Sequence, residues 1–208
     1  MPFDQDFLPP AAEQGPIWLA TAIDPVFLRT AAEHWPIWFL TAMLVVAAAI
    51  DGWKLKVPNW LTYPLIASGW IYSGLAFGWE GFAYSLLGTL AGLAMLMPLY
   101  AIGGMGAGDV KLLAGVGAWA GAMTTAYSFC LSAVIGGAIA IGMVLWQKGW
   151  EKHQAQFWMI LGEISTIRDP ERLATIAAER KKTMLLLPYG IPIALGTILY
   201  FALSGMLI

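Results

Sequence analysis

Residues 112–147 read LLAGVGAWAGAMTTAYSFCLSAVIGGAIAIGMVLWQ, 36 residues without a formal charge between Lys111 and Lys148. As one straight helix the run would be roughly 54 Å long at about 1.5 Å per residue. A bilayer's hydrocarbon core is about 30 Å thick. The stretch is too long for one crossing and too apolar for water. It therefore predicts a break near AWAGAM, residues 118–123, between a short helix over about 109–121 and a full-length one over about 123–146.

The rest of the chain extends this reading. Of 208 residues, 59% are hydrophobic and 12% charged, with 11 tryptophans and a mean hydropathy of +0.70. Soluble domains carry about 25% charged residues. Further apolar runs cover about 35–50, 59–79, 82–102 and 184–207, and Pro98 is expected to kink the third span near its end. The predicted fold class is all-α, a polytopic integral membrane bundle of about six transmembrane helices. Residues 1–34 are acidic, and their apolar stretch PIWLATAI is too short to span. They read as an extracytoplasmic interfacial leader to a six-span unit over 35–208. Within that unit, 147–183 is a charged amphipathic loop. DPERLATIAAERKK reads as a helix with Asp169 as cap and Pro170 in its first turn. The apolar face made by Phe157, Trp158, Ile160, Leu161 and Ile164 suits a helix on the inner leaflet. A plain connector and a docking surface both fit this loop.

Charge sets the orientation. With six spans and the N-terminus outside, every Lys and Arg except Arg29 falls on one face, which the positive-inside rule makes cytoplasmic. The formal charge of −2 and the lack of a basic stripe argue against nucleic acid as a partner. Cys130 is the one cysteine, and His34 and His153 show no ligand-like spacing, so no metal or cofactor site is predicted. The N-terminus lacks the basic region of a cleaved signal peptide.

Two acids stand out against this background. Asp51 ends the first span and Asp109 begins the fourth, so both meet the membrane at the cytoplasmic edge; Glu80 falls on the opposite face. A carboxylate at membrane depth is costly and marks a functional candidate. Capping of a helix end beside Lys54 or Lys111 is the plainer reading of either acid alone. Two carboxyls in one site can share a proton, so that one activates water while the other protonates a leaving group. Asp109 lies at a helix N-terminus and Asp51 near a C-terminus, which makes Asp109 the expected base and Asp51 the expected acid. Gly103, Gly104, Gly106 and Gly108 crowd in before Asp109, where glycine permits positive φ and close approach of another backbone.

These residues resemble the motifs of the type IV prepilin peptidases. GMGAGDVKLL matches the G-x-G-D-x-K-L pattern with Gly106, Gly108, Asp109 and Lys111. AIDGWKLKVPNWLT is similar to the family's other aspartate motif, with Asp51, Pro58, Asn59, Leu61 and Thr62. LLLPYGIPIALG, with Pro188, Tyr189 and Gly190, resembles its final-span signature. The resemblance implies an aspartyl endopeptidase without cofactor or metal. Asp51 and Asp109 would be catalytic, with Gly106, Gly108, Lys111, Pro58, Asn59, Pro188, Tyr189 and Gly190 in the substrate-binding or active-site loops. Its substrates would be prepilins or pseudopilins, cut after a Gly between a short basic leader and a hydrophobic stalk at the cytoplasmic face of the inner membrane. The lipid bilayer, and pilus or secretion machinery, would be its other partners. Lys111 either tunes the acids or snorkels to the surface. Larger members carry a cytoplasmic insertion with paired Cys-x-x-Cys and methylate the new N-terminus. One cysteine and about six residues after Gly52 make this chain similar to the compact, peptidase-only branch. A transporter is the competing class, but its site would lie near mid-bilayer between repeated halves. The presenilin-type G-x-G-D proteases pair their motif with Tyr-Asp and Pro-Ala-Leu, where this chain has Ile50-Asp51 and Pro188-Tyr189-Gly190.

Overall fold

The structure is a computed structural model that describes residues 25–101, 104–146 and 188–207. The described residues form four helices and no strand: α1 Pro25–Lys54, α2 Asn59–Ala101, α3 Ala107–Trp146 and α4 Gly190–Leu203. Three stretches are long and apolar enough to cross a membrane, His34–Lys54, Asn59–Ala101 and Ala107–Met143. Large side chains such as Leu75, Leu87, Val134 and Leu203 stay exposed. An apolar exterior of this extent belongs in lipid.

Two glycines turn long helices into pairs of arms. Gly78 has φ 66° and ψ −151° within α2, and Gly121 has φ 80° and ψ 172° within α3. Both φ values lie where a Cβ is disfavoured, so glycine allows the bend. Around Gly78 the arms run antiparallel: the Trp70 indole N–H donates to Thr89 Oγ1 at 2.9 Å. The break at Gly121 falls inside the predicted segment. The chain reverses within α2 at Gly78. Pro98 lies three residues before the end of α2, which closes with the Gly104 N–H on the Leu99 carbonyl at 2.9 Å. At the other end, α1 begins at Pro25, so the last ten residues of the expected leader are already helical. Residues 1–24, and the loop helix expected within 147–183, lie outside the described residues.

Small residues set the order of the arms. The second arm of α2 runs antiparallel to the first arm of α3. A Cβ on Gly88 would overlap the Gly117 carbonyl, and one on Gly92 would sit 2.6 Å from the Leu113 carbonyl oxygen. Such a glycine seam lets backbones touch where no hydrophobic effect drives helices together. Ser85 Oγ donates across it to the Ala118 carbonyl at 2.5 Å. The first arms of α2 and α3 run parallel: Gly69 meets Ala118, and Leu65 meets Gly115. The second arm of α3 pairs with α4, where Ser132 contacts Gly196 and Tyr127 stacks on Tyr200. Leu40, Leu44, Leu61, Leu65, Leu112, Val116 and Phe201 fill the centre.

The bundle therefore has two distinct ends. At one, Trp35, Phe39, Tyr72 and Trp119 form a ring cluster with centroids 4.9–6.5 Å apart. The Trp119 indole N–H donates to the Leu65 carbonyl at 2.9 Å. At the opposite end lie the close of α1 and the starts of α2, α3 and α4. Both acids of the sequence motifs are there.

Candidate active site

Asp51 occupies the last turn of α1 and is 2% exposed. The helix stops just beyond it because Leu55 takes the left-handed conformation, φ 51°, while its N–H still donates to the Asp51 carbonyl at 2.7 Å. A non-glycine residue there carries about 1 kcal/mol of strain or more. Val57 then precedes Pro58, a position barred from helix by the proline ring. The Pro58 carbonyl accepts the N–H groups of Leu61 and Thr62 and starts α2.

The Asp51 carboxylate points at the start of α4. Oδ2 accepts the Gly190 N–H at 2.7 Å. Hydrogen bonds to a charged group contribute roughly 1.5–3 kcal/mol each, and an effective desolvation cost for a buried ion is several kcal/mol. The Gly190 donor thus offsets part of the cost of keeping a carboxylate here. The first N–H groups of a helix lack intrahelical partners, which leaves them free for this task.

Asp109 is 6% exposed and sits in the first turn of α3. Its Oδ2 accepts the Gly106 N–H at 3.1 Å, while its own N–H donates back to the Gly106 carbonyl at 3.2 Å. This is the reciprocal logic of a capping box, with aspartate in the acidic position. Gly104, Gly106 and Gly108 all lack a positive φ. Gly108 serves close approach instead, and to the chain's own backbone: a Cβ there would lie 2.5 Å from the Val57 carbonyl oxygen.

Lys111 holds the same turn to α2. Its ammonium donates to Asn59 Oδ1 at 3.0 Å and to the Tyr63 hydroxyl at 2.9 Å, and it lies 4.5 Å from the Tyr63 ring centre. These partners are neutral, so Lys111 links two helix starts. Tyr63 was not among the candidates read from sequence. Its signal was its place one turn after Asn59, on the same helix face. Pro188 and Tyr189 open α4, their carbonyls accepting the N–H groups of Ile191 and Ile193. Half-buried Tyr189 lies within the electrostatic reach of Asp109, beside the glycine that holds Asp51.

The fold thus gathers all three motifs at one end, with each acid held by a different helix start. It also changes the electrostatic expectation. The sequence placed only Asp109 at a helix N-terminus, but α4 brings a second one to Asp51. The positive ends of two helix dipoles now favour an anion at both positions, so helix ends no longer distinguish base from acid.

Known proteins are similar to this chain over about half of its length. The profile of the type IV leader peptidase family matches residues 38–141. The prepilin leader peptidase/N-methyltransferase of Aeromonas hydrophila is 35% identical over 110 residues, 50% of this chain and 38% of its own length. The protein of the same name from Neisseria gonorrhoeae is 36% identical over 109 residues, 49% of this chain and 38% of its own. That of Klebsiella pneumoniae is 34% identical over 87 residues, 38% of each chain. The chain matches well under half the length of these relatives. No solved structure matches it.

Proposed function

The chain belongs to the type IV leader peptidase family, and on that premise we propose that it is a membrane aspartyl endopeptidase that removes the leader from prepilins or pseudopilins. The observation that carries the reading is the burial of Asp51 and Asp109 at one end of the bundle, each carboxylate held by a backbone N–H group. Hydrolysis by such a pair needs no metal or cofactor. Water adds to the scissile carbonyl as one carboxylate takes its proton, forming the C–O bond. The other carboxyl gives its proton to the amide nitrogen as the C–N bond breaks. One water is consumed, and the pair ends with one proton, as it began. Which acid starts protonated is a property of the dyad as a unit.

In this reading the six helical arms are six spans with the N-terminus outside, in the inner membrane. The acids lie at the cytoplasmic edge, where a stalk helix leaves the bilayer and a basic leader begins. The cut follows the leader's last Gly. In this topology the N-terminal acidic residues are extracytoplasmic, and the charged stretch 147–183 falls on the cytoplasmic side, where pilus or secretion machinery would meet it. In this reading methyl transfer is not part of the activity: the connection between Asp51 and α2 is only a few residues long and holds no Cys-x-x-Cys pair.

The test is a panel of leader–stalk precursors incubated with the enzyme in nanodiscs, with products mapped by mass spectrometry. The expected result is a single cut after the leader Gly and no added methyl group when a methyl donor is supplied. Intact precursors across the whole panel would remove the peptidase reading; a methylated product would remove the peptidase-only one.

A further inference from the structure

The start of α4 is built around a carboxylate from another helix. Gly190 N–H to Asp51 Oδ2 is 2.7 Å across 139 residues of sequence. A Cβ added at Gly190 would lie 2.9 Å from Oδ2, 3.0 Å from Cγ and 3.0 Å from Cβ of Asp51. Contacts under about 3.3 Å are closer than even a weak C–H···O approach, so the carboxylate fills the space any side chain at 190 would need. Gly190 has no positive φ, so backbone conformation does not explain the glycine. Beside it, Gly52 faces Ile191 Cδ1, with 3.4 Å for an added Cβ. The ends of α1 and α4 therefore meet across a glycine on each side.

We propose that Gly190 is a positioning residue: its missing side chain and its N–H fix the Asp51 carboxylate in the orientation used for hydrolysis. The assignment of hydrolysis rests on the peptidase reading; the clamp itself rests only on the geometry at Gly190. A buried carboxylate with one oxygen held by a backbone amide presents its other oxygen in a fixed direction, which a solvated side chain on a helix end does not. The fixed direction matters because near-attack geometry is lost with displacements of about 1 Å, at a cost of about 10²-fold in rate.

Two changes separate the roles of space and donor. Gly190→Ala adds the Cβ. An amide-to-ester exchange at residue 190 removes the N–H and leaves the shape. Gly196→Ala is the packing control, because Gly196 meets Ser132 on the same helix away from both acids. Two readouts are taken: kcat and KM on a precursor that wild type cleaves, and the carboxylate stretch of Asp51 in isotope-edited infrared difference spectra against Asp51→Asn. The ester exchange is expected to lower kcat about tenfold, as does loss of one charged-group hydrogen bond, with KM within about twofold, and to move the Asp51 band. Gly190→Ala is expected to lower kcat further. Gly196→Ala is expected to lower the melting temperature and leave the band in place. A band that moves in an enzyme that cleaves no precursor would leave the clamp standing and reject the peptidase reading. A band and a kcat both unmoved by the ester exchange would overturn the clamp. So would equal losses of kcat in Gly190→Ala and Gly196→Ala variants of equal stability.

Discussion

Gly108→Ala is the sharpest perturbation of the Asp109 turn. An added Cβ would lie 2.5 Å from the Val57 carbonyl oxygen and 3.1 Å from Val57 Cβ. An ordinary carbon–oxygen contact is about 3.3 Å, so the turn must retreat by about 0.8 Å. Val57 is 2% exposed and sits in the buried cluster, and Lys111 ties the same turn to Asn59 and Tyr63. The retreat therefore falls on the first turn of α3, one residue from the Asp109 carboxylate. Overpacking of this kind costs about 1–3 kcal/mol of stability. A displacement near 1 Å costs about 10²-fold in kcat. The assay is single-turnover cleavage in nanodiscs beside thermal unfolding, with Gly137→Ala as the comparison, since a Cβ there meets nothing within 4 Å. Wild-type kcat in Gly108→Ala, at a melting temperature close to wild type, would refute the argument that this glycine spaces Asp109 from Val57.

Three further outcomes follow from other contacts. Lys111→Met removes both hydrogen bonds to α2 and is expected to lower kcat about tenfold. Tyr63→Phe removes one and should cost less, and a double-mutant cycle of Lys111→Met with Asn59→Ala should show coupling of about 1 kcal/mol. Gly88→Ala drives a Cβ into the Gly117 backbone. It is expected to destabilise by about 3 kcal/mol or more, read as lost monodisperse protein in detergent. Trp119→Phe loses the bond to the Leu65 carbonyl and part of the ring cluster, so unfolding should shift by about 1–2 kcal/mol with little change in KM.

The sequence carried the long-range plan of the molecule further than its local detail. The break at Gly121 was legible because an uncharged run longer than a bilayer must turn somewhere, and a glycine among small residues is where it can. The pairing of Asp51 with Asp109 at one end was legible from counting turns between apolar runs. Pro98 lies three residues before the end of α2, near the end of the third apolar run as expected. The glycines before Asp109 were legible in part: Gly108 does serve close approach of a backbone, that of Val57, while Gly104, Gly106 and Gly108 take no positive φ. The clamp on Asp51 was hidden because its donor lies 139 residues away, and no local pattern reports which helix start meets which helix end.

The central claim is that Asp51 and Asp109 act as one unit on water. Single-turnover cleavage of a precursor by Asp51→Asn, Asp109→Asn and the double variant tests it most directly. The account predicts that each single variant falls by roughly 10³-fold or more, and that the double variant is no slower than either, as expected of groups that work together. Either single variant retaining cleavage within about tenfold of wild type, in protein of unchanged stability, would contradict the two-aspartate account.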